Sequence, residues 1–226
     1  TKSVTWTNYG NLLGTMTILY SPVGDFVNPA NYTVLDDDAS GANGQHTLDF
    51  NVPDNIGTTN QIKVIDNDAD ADTRAVAATS ELFQIKGQVK LLEPNNGEVY
   101  DMGEDIIVRW QYAGNIGGLN FSYSANGEAG PWLPVNASPV AHNYGESSGI
   151  CYYTWDKDDI PTAGTYLFKV EAATAGKCSP VTGLSNFTVR GNVQLVSPGK
   201  NPASPEVWFV NDTVNNVINW TPLGGI

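Results

Sequence analysis

Short runs of alternating apolar and polar residues recur along the whole chain, and each run predicts a half-buried β-strand. The central part of the chain shows the pattern at 106–110, 119–123, 153–155, 166–170 and 187–189. Asn-Gly and Gly-Gly pairs, prolines and aspartates separate the runs, as is typical of turns. Helical periodicity is not evident in any stretch of about 11 residues. The pattern therefore predicts an all-β protein made of packed sheets.

One strand pattern occurs twice at an offset of 104 residues. Residues 83–94 read FQIKGQVKLLEP and residues 187–198 read FTVRGNVQLVSP. A period near 100 residues is too long for a solenoid repeat and equals the size of one small β-sandwich domain. The repeating unit is therefore predicted to be a whole immunoglobulin-like or fibronectin-III-like sandwich, arranged in tandem.

Other sequence features recur at about the same offset, and together they define the predicted domain boundaries. A tryptophan stands at one predicted strand position in three successive repeats, as Trp6, Trp110 and Trp220, and each is expected in a core. We predict an N-terminally incomplete domain at 1–87, a complete one at 88–190, and the truncated start of a third at 191–226. The missing strands at both ends indicate a segment of a longer polypeptide.

The connection between the first two domains is short. Only Gly87 and Gln88 separate the predicted last strand of one domain from the predicted first strand of the next. So short a linker restricts rotation between neighbours. The sequence therefore predicts a fairly stiff array suited to spacing or scaffolding.

The charge balance excludes several kinds of partner. The chain contains 11 Lys and Arg against 24 Asp and Glu, a formal charge of −13. Nucleic acid binding needs clustered cations, which are lacking, and an anionic membrane surface is disfavoured for the same reason. The most apolar runs are strand-sized, so no membrane insertion is predicted.

The two cysteines, Cys151 and Cys178, lie in the second predicted domain. A disulfide between them would stabilise the fold by roughly 3 kcal/mol in the chain-entropy model. Such a bond persists in exported proteins, which favours an extracellular location. The alternative is a pair of reduced, buried thiols.

The second predicted domain resembles a family of tandem bacterial and archaeal immunoglobulin-like repeats. Residues 92–103 read LEPNNGEVYDMG, residues 107–110 read IVRW, and residues 123–132 read YSANGEAGPW. These are similar to the PNGGE-type pattern P-N-G-G-E-x-W/Y-x-x-G, I-x-W and Y-S-x-D-G-x-x-W. The likeness covers the whole second domain and most of the first, whereas residues 198–208 depart from it by an insertion.

The resemblance implies a structural or adhesive role in a large secreted or cell-surface protein. The expected function is a non-enzymatic segment of a surface-layer or sheath subunit that self-associates with other copies and contacts cell-envelope carbohydrate. An adhesin stalk is the first alternative, and an accessory module of a secreted polysaccharide-active or proteolytic enzyme is the second. The fold alone does not choose between these functions.

An acidic segment is the strongest candidate for a metal site. Four carboxylates at alternate positions can direct oxygen ligands to one Ca²⁺, which prefers six to eight of them. They are Asp66, Asp68, Asp70 and Asp72. An EF-hand is excluded, because its sixth position would be Ala71 and its twelfth Ala77. Asp36 and Asp38 form a weaker second candidate, and a solvated acidic loop is the alternative for both. Calcium is the only cofactor predicted.

No catalytic residue is predicted. His46 and His142 are the only histidines, and nucleophile, zinc-protease, phosphate-loop and CxxC motifs are lacking. A sugar-stacking platform is also disfavoured, because the tryptophans fall at repeated strand positions that core packing explains.

Six Asn-x-Ser/Thr sequons are candidate glycosylation sites in a secreted protein. They are Asn31, Asn120, Asn136, Asn186, Asn211 and Asn219. Asn120, Asn186 and Asn219 alternate with core-facing neighbours, so their side chains are expected to point outward.

Overall fold

The structure, a computed structural model, describes residues 1–9, 14–67, 76–198, 207–211 and 218–224. These residues form strands and three short 3₁₀ turns, without an α-helix among them. The predicted all-β class is therefore confirmed. No helix in the described part of the chain is long and apolar enough to cross a membrane.

The chain divides into two compact units. Unit 1 comprises residues 1–88 together with 113–116 and 176–178, and unit 2 comprises residues 89–112, 117–175 and 179–226. The main division therefore lies one residue from the predicted boundary at 87. Residues 191–226 are grouped with unit 2, and their assignment to a third domain stays a prediction.

Unit 1 contains two sheets that enclose an apolar core. Its strands are β1 (Lys2–Asn8), β2 (Thr15–Ser21), β3 (Thr33–Ser40), β4 (Gly44–Phe50), β5 (Gly57–Asp66), β6 (Ala77–Thr79) and β7 (Phe83–Ile85). One sheet is the antiparallel pair β1-β4, and the other has the order β3-β2-β5-β6 with β7 also paired to β5. Alternate residues of β2 and β5, including Ile18 and Val64, turn inward and are buried.

Unit 2 has a fuller set of strands. They are β8 (Gln88–Glu93), β9 (Val99–Asp101), β10 (Ile106–Ala113), β11 (Gly118–Ser124), β12 (Leu133–Pro134), β13 (Val140–Ala141), β14 (Cys151–Trp155), β15 (Gly164–Ala172), β16 (Val181–Thr182), β17 (Phe187–Arg190), β18 (Asn192–Ser197) and β19 (Asn219–Leu223). All the alternating runs found in its sequence are strands. The half-buried periodicity therefore located the elements correctly.

Two sheets of unit 2 form a sandwich. One has the order β14-β10-β8, and the other has the order β12-β11-β15-β17-β9, with β13 paired to β11 and β16 paired to β15. The segment at the start of the unit thus supplies one strand to each sheet, because β8 lies beside β10 while β9 runs parallel to β17.

Aromatic residues fill the space between these sheets. Trp110 and Phe168 are fully enclosed, and Phe121, Trp155 and Phe187 are 1% exposed. Their rings meet at centroid distances of 5.2–6.4 Å in tilted and edge-on arrangements, which aromatic pairs favour. The predicted core position of Trp110 is confirmed.

Strands β18 and β19 form a separate antiparallel pair with an irregularity between Leu195 and Ser197. Val193 is 54% exposed, Leu195 is 42% exposed and Trp220 is 61% exposed. The expectation that Trp220 occupies a core is therefore wrong in this structure. Its strand has the predicted position, but no second sheet covers it among the described residues.

Candidate functional site

The acidic segment that was predicted to bind calcium begins where β5 ends. Asp66 is the last residue of β5, whereas Asp68, Asp70 and Asp72 lie outside the described residues. Asn67 fixes the start of the segment: its backbone N–H donates to the Thr15 carbonyl at 2.9 Å. The beginning of the loop is therefore held against the first residue of β2.

The weaker acidic candidate lies beside the same loop. Nδ2 of Asn67 donates to the Asp37 carbonyl at 2.8 Å, so the chain from Asp36 to Asp38 on β3 adjoins the start of the acidic segment. Asp36 Oδ1 accepts a hydrogen bond from the Asp38 backbone N–H at 2.9 Å. Within the described ranges, no group of three acidic, histidine or cysteine side chains is arranged to hold a metal ion. The calcium site stays a prediction.

A calcium site here would show itself as metal-dependent stability. If these carboxylates bind Ca²⁺, millimolar Ca²⁺ should raise the melting temperature of the chelator-treated chain, because a ligand that binds only the folded state stabilises it. The measurement is calorimetry with EDTA and then with excess Ca²⁺. Asp70→Asn should reduce the shift, and Glu128→Gln, at an exposed position outside the acidic clusters, should not. Equal melting temperatures with and without calcium would exclude the site.

The reactive side chains of the units have structural roles. His46 stacks on Trp6 at 5.6 Å, and its Nε2 lies 2.8 Å from the Ala42 carbonyl oxygen. His142 packs edge-on against Tyr112 at 4.6 Å, and its carbonyl accepts a hydrogen bond from Trp110 Nε1 at 2.7 Å. Neither histidine is placed beside a cysteine or serine nucleophile by these contacts.

Both cysteines are buried, and the predicted disulfide between them is not formed in this structure. Cys151 lies on β14 opposite Trp110 and belongs to unit 2, whereas Cys178 is grouped with unit 1. Burial raises the pKa of the Cys151 thiol, and Glu146 adds a smaller effect in the same direction. A thiol with a raised pKa stays protonated at neutral pH and is a poor nucleophile.

The six sequons differ in accessibility. Asn186, Asn211 and Asn219 are exposed, and Asn31 and Asn120 are half-buried. Asn136 is 9% exposed, and its Nδ2 donates to the carbonyls of Leu119 at 3.0 Å and Ser138 at 2.8 Å. A glycan on this nitrogen would break a buried hydrogen bond, so the prediction for Asn136 conflicts with its structural role.

An ion pair joins the two parallel strands of unit 2. The Arg190 guanidinium donates from Nε to Asp101 Oδ1 and from Nη2, at 3.1 Å, to Asp101 Oδ2. This bidentate pair links β17 to β9 at the end of their ladder. The hydrogen bond from Arg190 is the main cause that lowers the pKa of Asp101.

Breaking this pair should change stability in a pH-dependent way. Because the pKa of Asp101 is lower in the folded state than in the unfolded chain, its stabilisation is present above its ordinary pKa of about 4 and is lost at lower pH. Asp101→Asn should therefore lower the melting temperature slightly at pH 7. The difference from wild type should vanish as the pH falls through 4 and below.

The matched control is Asp158→Asn. Asp158 also pairs with a cation, Lys157 at 2.7 Å, but its side chain is 80% exposed and its partner is the preceding residue. Such a local surface pair contributes little. A pH-independent effect of Asp101→Asn, or an equal effect of both substitutions, would contradict the assigned role.

A concave feature that the sequence pattern did not predict lies in unit 1. An apolar groove of about 810 Å³ opens between the β1-β4 sheet and the sheet that contains β5, β6 and β7. Its lining combines side chains from both sheets: Val4, Trp6, Phe50, Ile62, Val64, Phe83 and Ile85. Trp6 Nε1 is buried and lacks a hydrogen-bond partner among the described residues, whereas the corresponding Trp110 Nε1 of unit 2 has one.

The fold defines a class of protein: the described residues form an all-β protein of packed sheets. No known protein family and no curated protein matches the sequence.

Similar solved structures include the fibronectin(III)-like modules of Clostridium thermocellum CbhA, at 14% identity and a TM-score of 0.32, covering 84% of this chain and 86% of that one. The human OSCAR ligand-binding domain is similar at 13% identity and a TM-score of 0.24, covering 82% of this chain and 86% of that one.

Proposed function

We propose that the chain is a structural, non-enzymatic segment of a large extracellular prokaryotic protein, and most concretely of a surface-layer or sheath subunit. Its tandem sandwiches would act as rigid building blocks that associate with other copies of the same protein. Calcium at the acidic segment, glycans at exposed sequons and contact with cell-envelope carbohydrate belong to the same proposal.

The main observation in support of this proposal is that the potentially reactive side chains have structural contacts within the units. The imidazoles of His46 and His142 each pack against an aromatic ring and lie within hydrogen-bond distance of a backbone carbonyl oxygen. The Cys151 side chain is buried. An active site instead needs a nucleophile, base or acid that faces a cleft where substrate binds. These three side chains thus stabilise the sandwiches.

The connection between the sandwiches gives further support. Strands β7 and β8 are separated only by Lys86 and Gly87. A two-residue linker restricts rotation more than a flexible one does. Restricted joints suit a protein that spaces or scaffolds, as surface-layer and sheath subunits do.

Immunogold labelling of intact cells of the source organism tests the proposal. Antibodies raised against the purified chain should label unbroken cells densely and continuously, while an antibody against a cytoplasmic protein should label them only after lysis. Sparse filamentous label would favour the adhesin stalk instead. Labelling that appears only in lysed cells would overturn an extracellular role.

A further inference from the structure

We propose that Asn96 of unit 2 is a site of spontaneous chemical modification. Its side chain cyclises with the backbone nitrogen of Gly97, and hydrolysis of the ring leaves aspartate or isoaspartate. The isoaspartate form loosens the bend that carries the chain from β8 into β9. This chemistry belongs to the chain itself and occurs whether or not the protein works outside the cell.

Three Asn-Gly pairs in the chain are candidates for this reaction, at Asn43, Asn96 and Asn126. The backbone nitrogen of the following residue must approach the side-chain carbonyl carbon, and glycine permits this because it has no Cβ and few conformational limits. Asparagine is accordingly one of the thermolabile residues of proteins. The surroundings of each pair therefore determine which one reacts in the folded chain.

The reacting groups of Asn96 and Gly97 are accessible and unrestrained. Both residues are exposed and lie between β8 and β9. The Asn96 backbone N–H donates to Glu98 Oε2 at 2.9 Å, whereas its side-chain amide and the Gly97 N–H have no hydrogen-bond partner among the described residues. The ring can therefore close without first breaking a hydrogen bond of either reacting group.

Asn126 is held in place by comparison. Its Nδ2 donates to the Gly130 carbonyl at 3.2 Å, and its backbone N–H donates to Ser124 Oγ at 3.1 Å. Ring closure at Asn126 must first break the side-chain hydrogen bond, which should slow the reaction about fivefold relative to Asn96.

The pair at Asn43 is restrained through its glycine. Gly44 is the first residue of β4 and is paired with Asn8 of β1. Ring closure needs the Gly44 nitrogen to turn toward the Asn43 side chain, which would open this end of the ladder. Asn43 should therefore also react more slowly than Asn96.

The reaction balances without an enzyme or an oxidant. The Gly97 nitrogen loses its proton to water and attacks Cγ of Asn96. The new C–N bond closes a succinimide ring, and the amide nitrogen of Asn96 leaves as ammonia. A water molecule then opens the ring: attack at the former side-chain carbonyl gives aspartate, and attack at the backbone carbonyl gives isoaspartate, whose main chain runs through the side-chain carbons.

The bend is anchored on both sides, so it tolerates little change in length. The N–H groups of Leu184 and Ser185 donate to Asn95, at 2.9 Å to its Oδ1 and at 3.0 Å to its carbonyl. Further along, the Glu98 carbonyl accepts from the Thr188 N–H at 2.9 Å, where β9 joins β17. Isoaspartate lengthens the main chain between these anchors by one carbon atom. The hydrogen bonds at the two ends then no longer fit together, and the start of β9 is weakened.

The new carboxylate has a smaller effect than the longer main chain. Glu98 Oε2 accepts from the N–H groups of both Asn95 and Asn96 at 2.9 Å, so a charged residue 96 would lie beside another carboxylate. Repulsion between exposed like charges is weak, because water and salt screen it. Asn96→Asp therefore separates the two effects, since it has the charge without the added backbone atom.

Peptide mapping of the purified 226-residue chain by mass spectrometry tests the site. In the folded chain at mildly alkaline pH, conversion of amide to acid should proceed about fivefold faster at Asn96 than at Asn126. In denaturant the two rates should become similar, because the folded contacts no longer distinguish them. Asn96→Gln, at an exposed position, should abolish the first signal and leave the second unchanged. No conversion at Asn96, or equal rates at both positions in the folded chain, would overturn the proposal.

Thermal unfolding tests the structural consequence. Aged wild type that contains isoaspartate at residue 96 should melt at a lower temperature than fresh wild type, whereas aged Asn96→Gln should melt like its fresh form. Fresh Asn96→Asp should melt close to fresh wild type. If aged wild type rich in isoaspartate keeps the melting temperature of the fresh chain, the bend does not hold β9 and the proposed loosening is wrong.

Discussion

Replacing Trp110 with alanine should destabilise unit 2 by about 3–5 kcal/mol, enough to abolish much of the stability of a small domain. Trp110 is fully buried, packs against Phe121 at 5.2 Å, and donates from Nε1 to the His142 carbonyl at 2.7 Å. Alanine would leave a cavity and an unpaired carbonyl together. Denaturant unfolding followed by residue-resolved hydrogen exchange would assign the loss to the strands of unit 2.

The repeat provides a matched control in Trp6→Ala. Trp6 holds the same strand position in unit 1, but it is only partly buried, lines an open groove, and its Nε1 makes no hydrogen bond to the described residues. Trp6→Ala removes less packing and no hydrogen bond. It should therefore lower the free energy of unfolding clearly less than Trp110→Ala does. Equal losses of stability at the two positions would contradict the conclusion that Trp110 is enclosed more completely than Trp6.

Asn136→Asp should destabilise unit 2 by about 3 kcal/mol at neutral pH, although the two side chains are nearly the same size. Asn136 accepts a hydrogen bond from the Phe121 backbone N–H at 2.6 Å and donates to the carbonyls of Leu119 and Ser138. An ionised carboxylate keeps the first interaction but cannot donate, so two carbonyls face a buried charge. The loss should shrink at acidic pH, where the neutral acid can donate once.

Asn186→Asp is the control for this substitution. It makes the same chemical change at an exposed sequon and should alter stability by less than about 0.5 kcal/mol at any pH between 4 and 8. Thermal unfolding of both variants across that range provides the comparison. If Asn136→Asp loses little stability, or if the loss does not vary with pH, the Asn136 amide does not hold the segment between β12 and β13 against β11.

The strands were predicted correctly because apolar and polar residues alternate along a half-buried strand, and this two-residue period is visible in the sequence. Alternation places Val108 and Trp110 on one face and Arg109 on the other, and β10 buries them in that way. The repeat of about one domain length likewise indicated the tandem sandwiches. Both signals are local or periodic, so a single chain is enough to detect them.

Burial that depends on distant partners was harder to predict. Trp110 and Trp220 occupy equivalent strand positions, yet one lies beneath a second sheet and the other lies on a two-stranded pair. Asn136 was identified by its sequon, which reports only the next two residues, whereas its fixed amide depends on the Phe121 backbone N–H and the Leu119 carbonyl, both more than ten residues away on β11. The groove in unit 1 is lined by strands that are distant in sequence, so no local pattern predicts it.

The parallel pairing of β9 with β17 has a consequence for how unit 2 bears tension. These strands lie near the two ends of the predicted domain at 88–190, and they run in the same direction with Val99 opposite Thr188. Pulling the two ends apart therefore loads their hydrogen bonds in shear, all together rather than one after another. Single-molecule pulling should show a high rupture force for unit 2, which falls when Thr188→Pro removes the backbone N–H that donates to the Glu98 carbonyl at 2.9 Å; equal forces would assign the resistance to other strands.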